Sequence, residues 1–161
     1  MRCNSIFLLA ISVGIGFGAG CEESLEILNE PGQARSVGPV VLDRDSILIP
    51  YSVIDREGDD LEVRVEVCEE DERDCGVIFL APGGDSLAFV STAPKNTAVS
   101  HVVRWNHHCG RLVAGERFDT ELTIDYRIRV TVLGPTPSTV LSPTFRLGDD
   151  LLVERIESCE D

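Results

Sequence analysis

Alternating apolar and polar residues are the dominant pattern of this sequence, and such alternation predicts strands with one buried face. The longest alternating run covers residues 122–132, and two further regular runs cover residues 47–53 and 61–67. No stretch of the sequence shows convincing helical periodicity. Weaker strand candidates are residues 40–42, 77–80, 87–91, 101–105 and 139–147.

Turn-forming residues separate most of these segments, at residues 55–60, 82–85, 94–96 and 134–137. Seven or eight short strands with turns at this spacing predict an antiparallel sandwich rather than an α/β fold. A parallel sheet would need crossover helices, which the pattern does not show. We therefore predict an all-β fold over residues 37–148, followed by a C-terminal tail at 149–161.

Composition narrows the class of protein. The chain has 161 residues, 43% of them apolar, and 14 Lys plus Arg against 28 Asp plus Glu, for a formal net charge of −14. This apolar content suits one domain with a buried core. The charge argues against nucleic acid as a partner, because binding to phosphates requires many cationic side chains and the chain has a single lysine, Lys95.

The N-terminal residues 1–20 have the features of an export signal. Arg2 supplies a positive start, residues 6–17 form an apolar run too short to span a bilayer comfortably, and small residues follow. The sequence Gly-Ala-Gly-Cys at 18–21 resembles the lipobox of bacterial lipoproteins. The resemblance implies that Cys21 carries a diacylglycerol and becomes the mature N-terminus. Gly18 stands where this motif usually has Leu, so ordinary signal-peptidase cleavage at the same bond remains an alternative.

The number of cysteines favours the lipidated form. Removal of the signal discards Cys3 and leaves five cysteines, an odd number for an oxidising compartment. A lipid on Cys21 leaves four that can pair, whereas the alternative is a free or intermolecular Cys21 thiol. We expect a membrane partner through this anchor, at the outer membrane of a bacterial envelope, on its periplasmic or surface face. Residues 21–36 would then be the lipidated cysteine and a flexible tether with a reach of roughly 20 Å.

Cys68 and Cys75 enclose five acidic residues in six positions. A disulfide between them would close a small, strongly negative loop, and Cys109 would then pair with Cys159 by elimination. The two other connectivities remain open. Continued alternation places Cys68 on the outward face beside Glu66. The acidic loop could dock a basic partner or serve only solubility.

The order of the segments resembles the fibronectin type III and immunoglobulin-like modules of exported bacterial proteins. The resemblance implies an immunoglobulin-like sandwich of seven to eight strands. Two features depart from the usual module: the four cysteines, and the long connection at residues 107–121. The positions that carry the resemblance are Tyr51 and Asp55, Gly58 and Asp59, Val63 and Val65, Val103 and Trp105, and Tyr126, Ile128 and Val130.

Three aromatic residues, Tyr51, Trp105 and Tyr126, are expected in the structural core rather than in a ligand site. Tyr126 suits the tyrosine corner of these modules, in which the hydroxyl bonds to the backbone a few residues upstream. A different candidate is the acidic turn, whose carboxylates are of the kind that calcium prefers, although a solvated hairpin turn is the alternative. The calcium candidates are Asp55, Glu57, Asp59 and Asp60.

Motifs for catalysis are missing from the sequence. It contains no Gly-x-Ser-x-Gly elbow, no His-Glu-x-x-His motif and no phosphate-binding glycine loop. A zinc site at His107, His108 and Cys109 is disfavoured, because neighbours on an extended chain face opposite sides and Cys109 is expected to be oxidised.

We expect a non-enzymatic, lipid-anchored envelope protein without a cofactor, whose sandwich binds a protein or glycan or has a structural role. One alternative is a small envelope hydrolase or metal-dependent enzyme that uses His101, His107 or His108 with nearby acids. Another is an accessory subunit whose exposed strand edge is covered by a partner.

Overall fold

The computed structural model describes residues 29–151, 153 and 159, and the predicted export signal and Cys21 lie outside them. The described residues form eleven strands and one short 3-10 helix, His107–Cys109, and include no helix long and apolar enough to cross a membrane. The strands are β1 (Gln33–Val37), β2 (Val41–Asp43), β3 (Ser46–Ile54), β4 (Val63–Glu69), β5 (Cys75–Ile78), β6 (Val99–Trp105), β7 (Arg111–Val113), β8 (Glu116–Phe118), β9 (Asp125–Val132), β10 (Ser138–Leu141) and β11 (Phe145–Arg146).

The strands form two antiparallel sheets. In sheet 1, β3 pairs with β6 along one edge and with β1 and β2 along the other. In sheet 2, β9 pairs with β10 and β11 on one side and with β4 on the other, and β5, β7 and β8 continue the sheet beyond β4. The predicted all-β, antiparallel class is confirmed. The predicted count of seven to eight strands is wrong, because the described residues form eleven strands. Several of these strands are only two or three residues long.

The three regular alternating runs became the long strands at the centre of the fold. The apolar residues of β4 and β9 face inward in register, with Val65 opposite Val130 and Val67 opposite Ile128. The corresponding residues of β3, such as Ile47 and Ile49, come from the other sheet and join the same core. Burial of each such side chain contributes about 1.5–3 kcal/mol, which makes this layer the main source of stability.

The sandwich extends beyond both predicted boundaries. Residues 33–36 were assigned to the tether, but Gln33–Val37 is a strand on the edge of β3, and Ala34 and Val37 are buried. The segment predicted as a tail contributes Leu151 and Val153 to the core, and the backbone N–H of Val153 donates to the carbonyl of Leu147 at 2.9 Å. The folded domain therefore includes residues 33–36, Leu151 and Val153.

The strand directions define two ends of the sandwich. At the end where β1 begins, which we call the tether end, Gln33 pairs with Ile54 and the β3–β4 and β9–β10 turns lie close by. At the opposite end, which we call the distal end, β4 finishes and β9 begins, with Glu69 opposite Tyr126. The loop closed by Cys68 and Cys75 connects β4 to β5 at the distal end.

The long connection at residues 107–121 is anchored beneath Trp105. The fully buried indole donates a hydrogen bond to the carbonyl of Gly110 at 3.0 Å. Gly110 has φ 67°, and a Cβ at this position would lie 2.0 Å from the carbonyl oxygen of Phe118. Only glycine fits these two conditions. The chain then forms the β7–β8 hairpin, which widens sheet 2.

Tyr126 begins the inward face of β9 and has its ring fully buried. Its hydroxyl accepts a hydrogen bond from the backbone N–H of Glu121 at 2.8 Å, five residues upstream. The guanidinium of Arg111 lies over the ring, 5.6 Å from its centroid. Tyr126 therefore ties the long connection to the core of the sandwich.

We predict that Tyr126→Phe lowers the free energy of unfolding by about 1 kcal/mol, because it leaves a backbone N–H without its acceptor. Urea denaturation would measure the change. Tyr51→Phe is the matched control, since the buried Tyr51 hydroxyl has no hydrogen-bond partner among the described residues. Its removal should be neutral or stabilising, and equal losses in the two variants would contradict this account of Tyr126.

Candidate functional site

The acidic turn between β3 and β4 is organised around Asp55. This carboxylate is buried, and its Oδ2 accepts backbone N–H bonds from Glu57, Gly58 and Asp59 at 3.0, 2.7 and 3.0 Å. Gly58 has φ 87°, and a Cβ there would come within 3.1 Å of Pro94. Asp55 is therefore the internal acceptor that holds the turn in shape.

The four predicted calcium ligands do not assemble into a metal site. Within the described ranges, no group of three or more His, Cys, Asp or Glu side chains is placed to hold a metal ion. The reason is local: one oxygen of Asp55 already receives three N–H donors, and Asp59 accepts a bond from the side-chain amide of Asn29 at 3.1 Å. Three of the four candidates, Asp55, Asp59 and Asp60, do border one cavity of about 190 Å³ at the tether end.

The disulfides are those that the sequence favoured. Cys68 is bonded to Cys75, with Cα atoms 4.0 Å apart, and Cys109 to Cys159, with Cα atoms 4.6 Å apart. The expectation of an exposed Cys68 is wrong, because this residue is fully buried. It lies on β4 between β5 and β9, so it has neighbours on both sides that the alternation of one strand does not reveal.

The acidic loop and the start of β9 enclose a cleft of about 360 Å³ at the distal end, lined by Glu69, Glu70, Asp71, Ile124 and Asp125. Two of these carboxylates are neutralised from outside the cleft. The buried Arg111 forms an ion pair with Glu69 at 2.5 Å, and Arg146 forms one with Asp125 at 2.9 Å.

The two other acids of the cleft, Glu70 and Asp71, have no buried cationic partner among the described residues. Asp71 contacts only the exposed Arg73, at 3.5 Å, and Glu70 makes no ion pair within the described part of the chain. The backbone N–H of Glu70 donates to the carbonyl of Asp125 at 2.9 Å, which joins the two walls of the cleft. The distal cleft is thus a fixed acidic surface.

Among the histidines, His101 has the most polar surroundings. Its Nε2 lies 2.9 Å from the carbonyl oxygen of Ser91, its Nδ1 lies 3.6 Å from Oδ2 of Asp85, and its ring is 5.5 Å from that of Tyr51. Burial, with a smaller contribution from the Asp85 carboxylate, raises the pKa of Tyr51 to about 12. These contacts link the segment 85–91 to sheet 1.

His107 and His108 do not face opposite sides as predicted. The segment is a 3-10 helix rather than an extended chain, and the two rings lie 4.0 Å apart between centroids. Cys109 is oxidised in the disulfide, so it offers no thiolate to zinc. The cavities at the distal cleft, at the tether end and beside Phe145 have no histidine among the residues that line them.

The predicted core residues Tyr51, Trp105 and Tyr126 are all buried. Sequence reasoning missed the buried Arg111 beneath the distal cleft, the contact of Asp85 with His101, and the exposed Phe89. The weak strand prediction at 87–91 is wrong, since these residues form no strand, and the contacts of Arg111 and Asp85 join residues far apart in the sequence. No protein-family model, curated protein or solved structure matches the chain.

We predict that His107 makes folding dependent on pH. In the unfolded chain its pKa is near 6.5, whereas burial, reinforced by His108 and partly offset by Asp45, lowers the pKa to about 4. Between these values the unfolded chain binds more protons, so stability that is present at neutral pH is lost as the pH falls through this window. When the pH is lowered from about 7 to 4.5, the unfolding free energy of the unaltered protein should fall further than that of His107→Gln. The difference between the two falls should be on the order of 2 kcal/mol.

Urea denaturation at each pH would measure this difference, with every variant compared only with itself across pH. His108→Gln is the control and should retain most of the dependence. An unchanged pH dependence in His107→Gln would contradict the assignment.

Proposed function

We propose that this protein is a non-enzymatic, lipid-anchored binding module of the bacterial cell envelope, with an immunoglobulin-like sandwich of the fibronectin III type. The strand order supports the fold type. β1, β3 and β6 lie side by side in sheet 1, as A, B and E do in such modules, and β4, β9 and β10 in sheet 2 correspond to C, F and G. The bond between Tyr126 and the backbone of Glu121 is also that of a tyrosine corner.

The disulfides support the compartment. Two disulfides among the described residues are typical of a protein that folds in an oxidising environment, such as the periplasm. Their cysteines are the four that remain once Cys3 is removed and Cys21 carries lipid. The predicted export signal and the lipobox resemblance support the same location, the bacterial cell envelope.

One observation carries the proposal that the module binds a partner: residues 29–32, which lead into β1, and the distal cleft lie at opposite ends of the sandwich. The seven-residue strand β4 runs from the tether end to the distal cleft and is about 23 Å long. If the chain is anchored ahead of residue 29, the cleft therefore lies well away from the membrane. The acidic cleft then faces outward, where a basic protein surface is the complementary partner. Charge complementarity of this kind mainly accelerates association and makes it sensitive to salt.

Labelling with palmitate tests the anchor. Labelled palmitate should enter the full-length protein but not Cys21→Ala, because the Cys21 thiol is the proposed attachment point. Cys3→Ala is the matched control and should label like the unaltered protein, since Cys3 lies in the discarded signal. Equal labelling of Cys21→Ala and the unaltered protein would overturn the anchor.

Affinity capture of the full-length protein from solubilised envelopes tests the distal cleft. The double variant Glu70→Gln, Asp71→Asn should recover several-fold less of its main partner than the unaltered protein, and recovery should fall as salt rises. The control variant Glu30→Gln, Asp59→Asn removes the same charge at the tether end, away from Phe89, and should recover the partner normally. Equal effects of the two variants would show that only net charge matters and would refute the distal cleft as the binding surface.

A further inference from the structure

Phe89 is the most exposed large apolar side chain in the described part of the chain, at 82%, against 51% for Val41 and Leu80. It lies in the connection from β5 to β6, residues 79–98, which runs along the side of the sandwich. A single exposed apolar residue is common and means nothing alone. The exposure of Phe89 becomes informative when it is considered together with its backbone conformation.

The backbone at Phe89 is in the left-handed region, with φ 59°. This conformation is disfavoured for a bulky residue, because its Cβ crowds the following carbonyl, and it is usually occupied by Gly or Asn. The chain therefore has a large aromatic residue at a position where glycine would be less strained. The aromatic side chain gives little burial in return, since most of it is in water.

The residues around Phe89 hold this conformation in place. Val90 is buried and exchanges two backbone hydrogen bonds with Leu61, at 2.8 and 2.9 Å. On the other side, the carbonyl of Leu87 accepts the N–H of Val63 at 2.9 Å, and the Ser86 hydroxyl donates to the carbonyl of Ala88 at 2.7 Å. Phe89 is thus presented by a turn that is fixed at both ends.

The exposed charged residues on the segments that hold the Phe89 turn are mostly acidic, namely Asp60, Glu62 and Asp85 against Arg64. The exposed Asp60 and Glu62 flank Leu61, the residue that pairs with Val90. Asp85 stands at the start of the same segment, exposed, with its Oδ2 accepting the backbone N–H of Val102 at 2.7 Å. A complementary surface would offer an apolar pocket with lysine or arginine at its rim. Three carboxylates disfavour contact with an anionic membrane.

We infer that Phe89 is the anchor of a protein–protein contact on the side of the sandwich, and that it inserts into an apolar pocket bordered by cationic side chains of the partner. Buried aromatic anchors contribute much of the affinity of such contacts. A turn already fixed in the binding conformation loses little entropy on association. This surface is separate from the distal cleft and does not require the lipid anchor.

The first test asks whether Phe89 serves folding. Phe89→Gly should melt at the same temperature as the unaltered protein or higher, because glycine removes the backbone strain and little packing is lost. A melting temperature lower by more than about 5 °C would show that the side chain stabilises the fold and would overturn the inference.

The second test is photocrosslinking with p-benzoylphenylalanine at position 89 in cells, with the same probe at Leu80 as the matched control in the same segment. Position 89 should give a discrete product with another protein, crosslinked at a peptide that combines apolar and cationic residues, and position 80 should not. In isolated envelopes the product should fall several-fold when ionic strength rises from about 0.05 to about 0.5 M.

Four outcomes would overturn the inference: no discrete product, the same product from both positions, a product with a second copy of this chain, or a lipid adduct. The test is repeated with Cys21→Ala. A product that persists in this variant supports the Phe89 contact even if the anchor in the proposed function fails.

Discussion

The interlocking of the inward faces of β3, β4 and β9 is the constraint on which the rest of the structure depends. Because every second residue of these strands is apolar, each can bury one face only, and the two sheets must close on each other. Closure fixes the strand directions and therefore which turns share an end. The separation of the tether end from the distal cleft is therefore a consequence of the packing of the two sheets. No single local motif in the sequence determines it.

The sequence predicted the parts of this fold that local signals determine. The long strands follow from alternation within one segment, and the Cys68–Cys75 bond follows from two cysteines at the base of a short hairpin. β1 was missed because a register irregularity between Ala34 and Ser36 breaks its alternation. β7 and β8 were missed because three-residue strands are too short for alternation to be recognised, and their pairing depends on the position of β5.

The candidate sites show the same division between local and non-local information. The sequence shows the carboxylates of the acidic turn, but not that one oxygen of Asp55 accepts three N–H bonds from its own backbone. It shows the acids near Cys68, but not that Arg111, 42 residues after Glu69, reaches back from β7 to neutralise that carboxylate. The turn that carries Phe89 is held by the backbone bonds between Val90 and Leu61, two residues that only the folded chain brings together.

The distribution of stabilising contacts between the two ends bears on how the protein could bind. Both disulfides among the described residues lie toward the distal end, where five acids crowd one loop and repel each other. The Cys68–Cys75 bond closes this loop and opposes the repulsion, as does the ion pair of Arg111 with Glu69. A charged surface held in this way keeps its shape before a partner arrives, so binding need not order it. The side of the sandwich achieves the same result at Phe89 with hydrogen bonds alone, which is why a strained backbone can persist there.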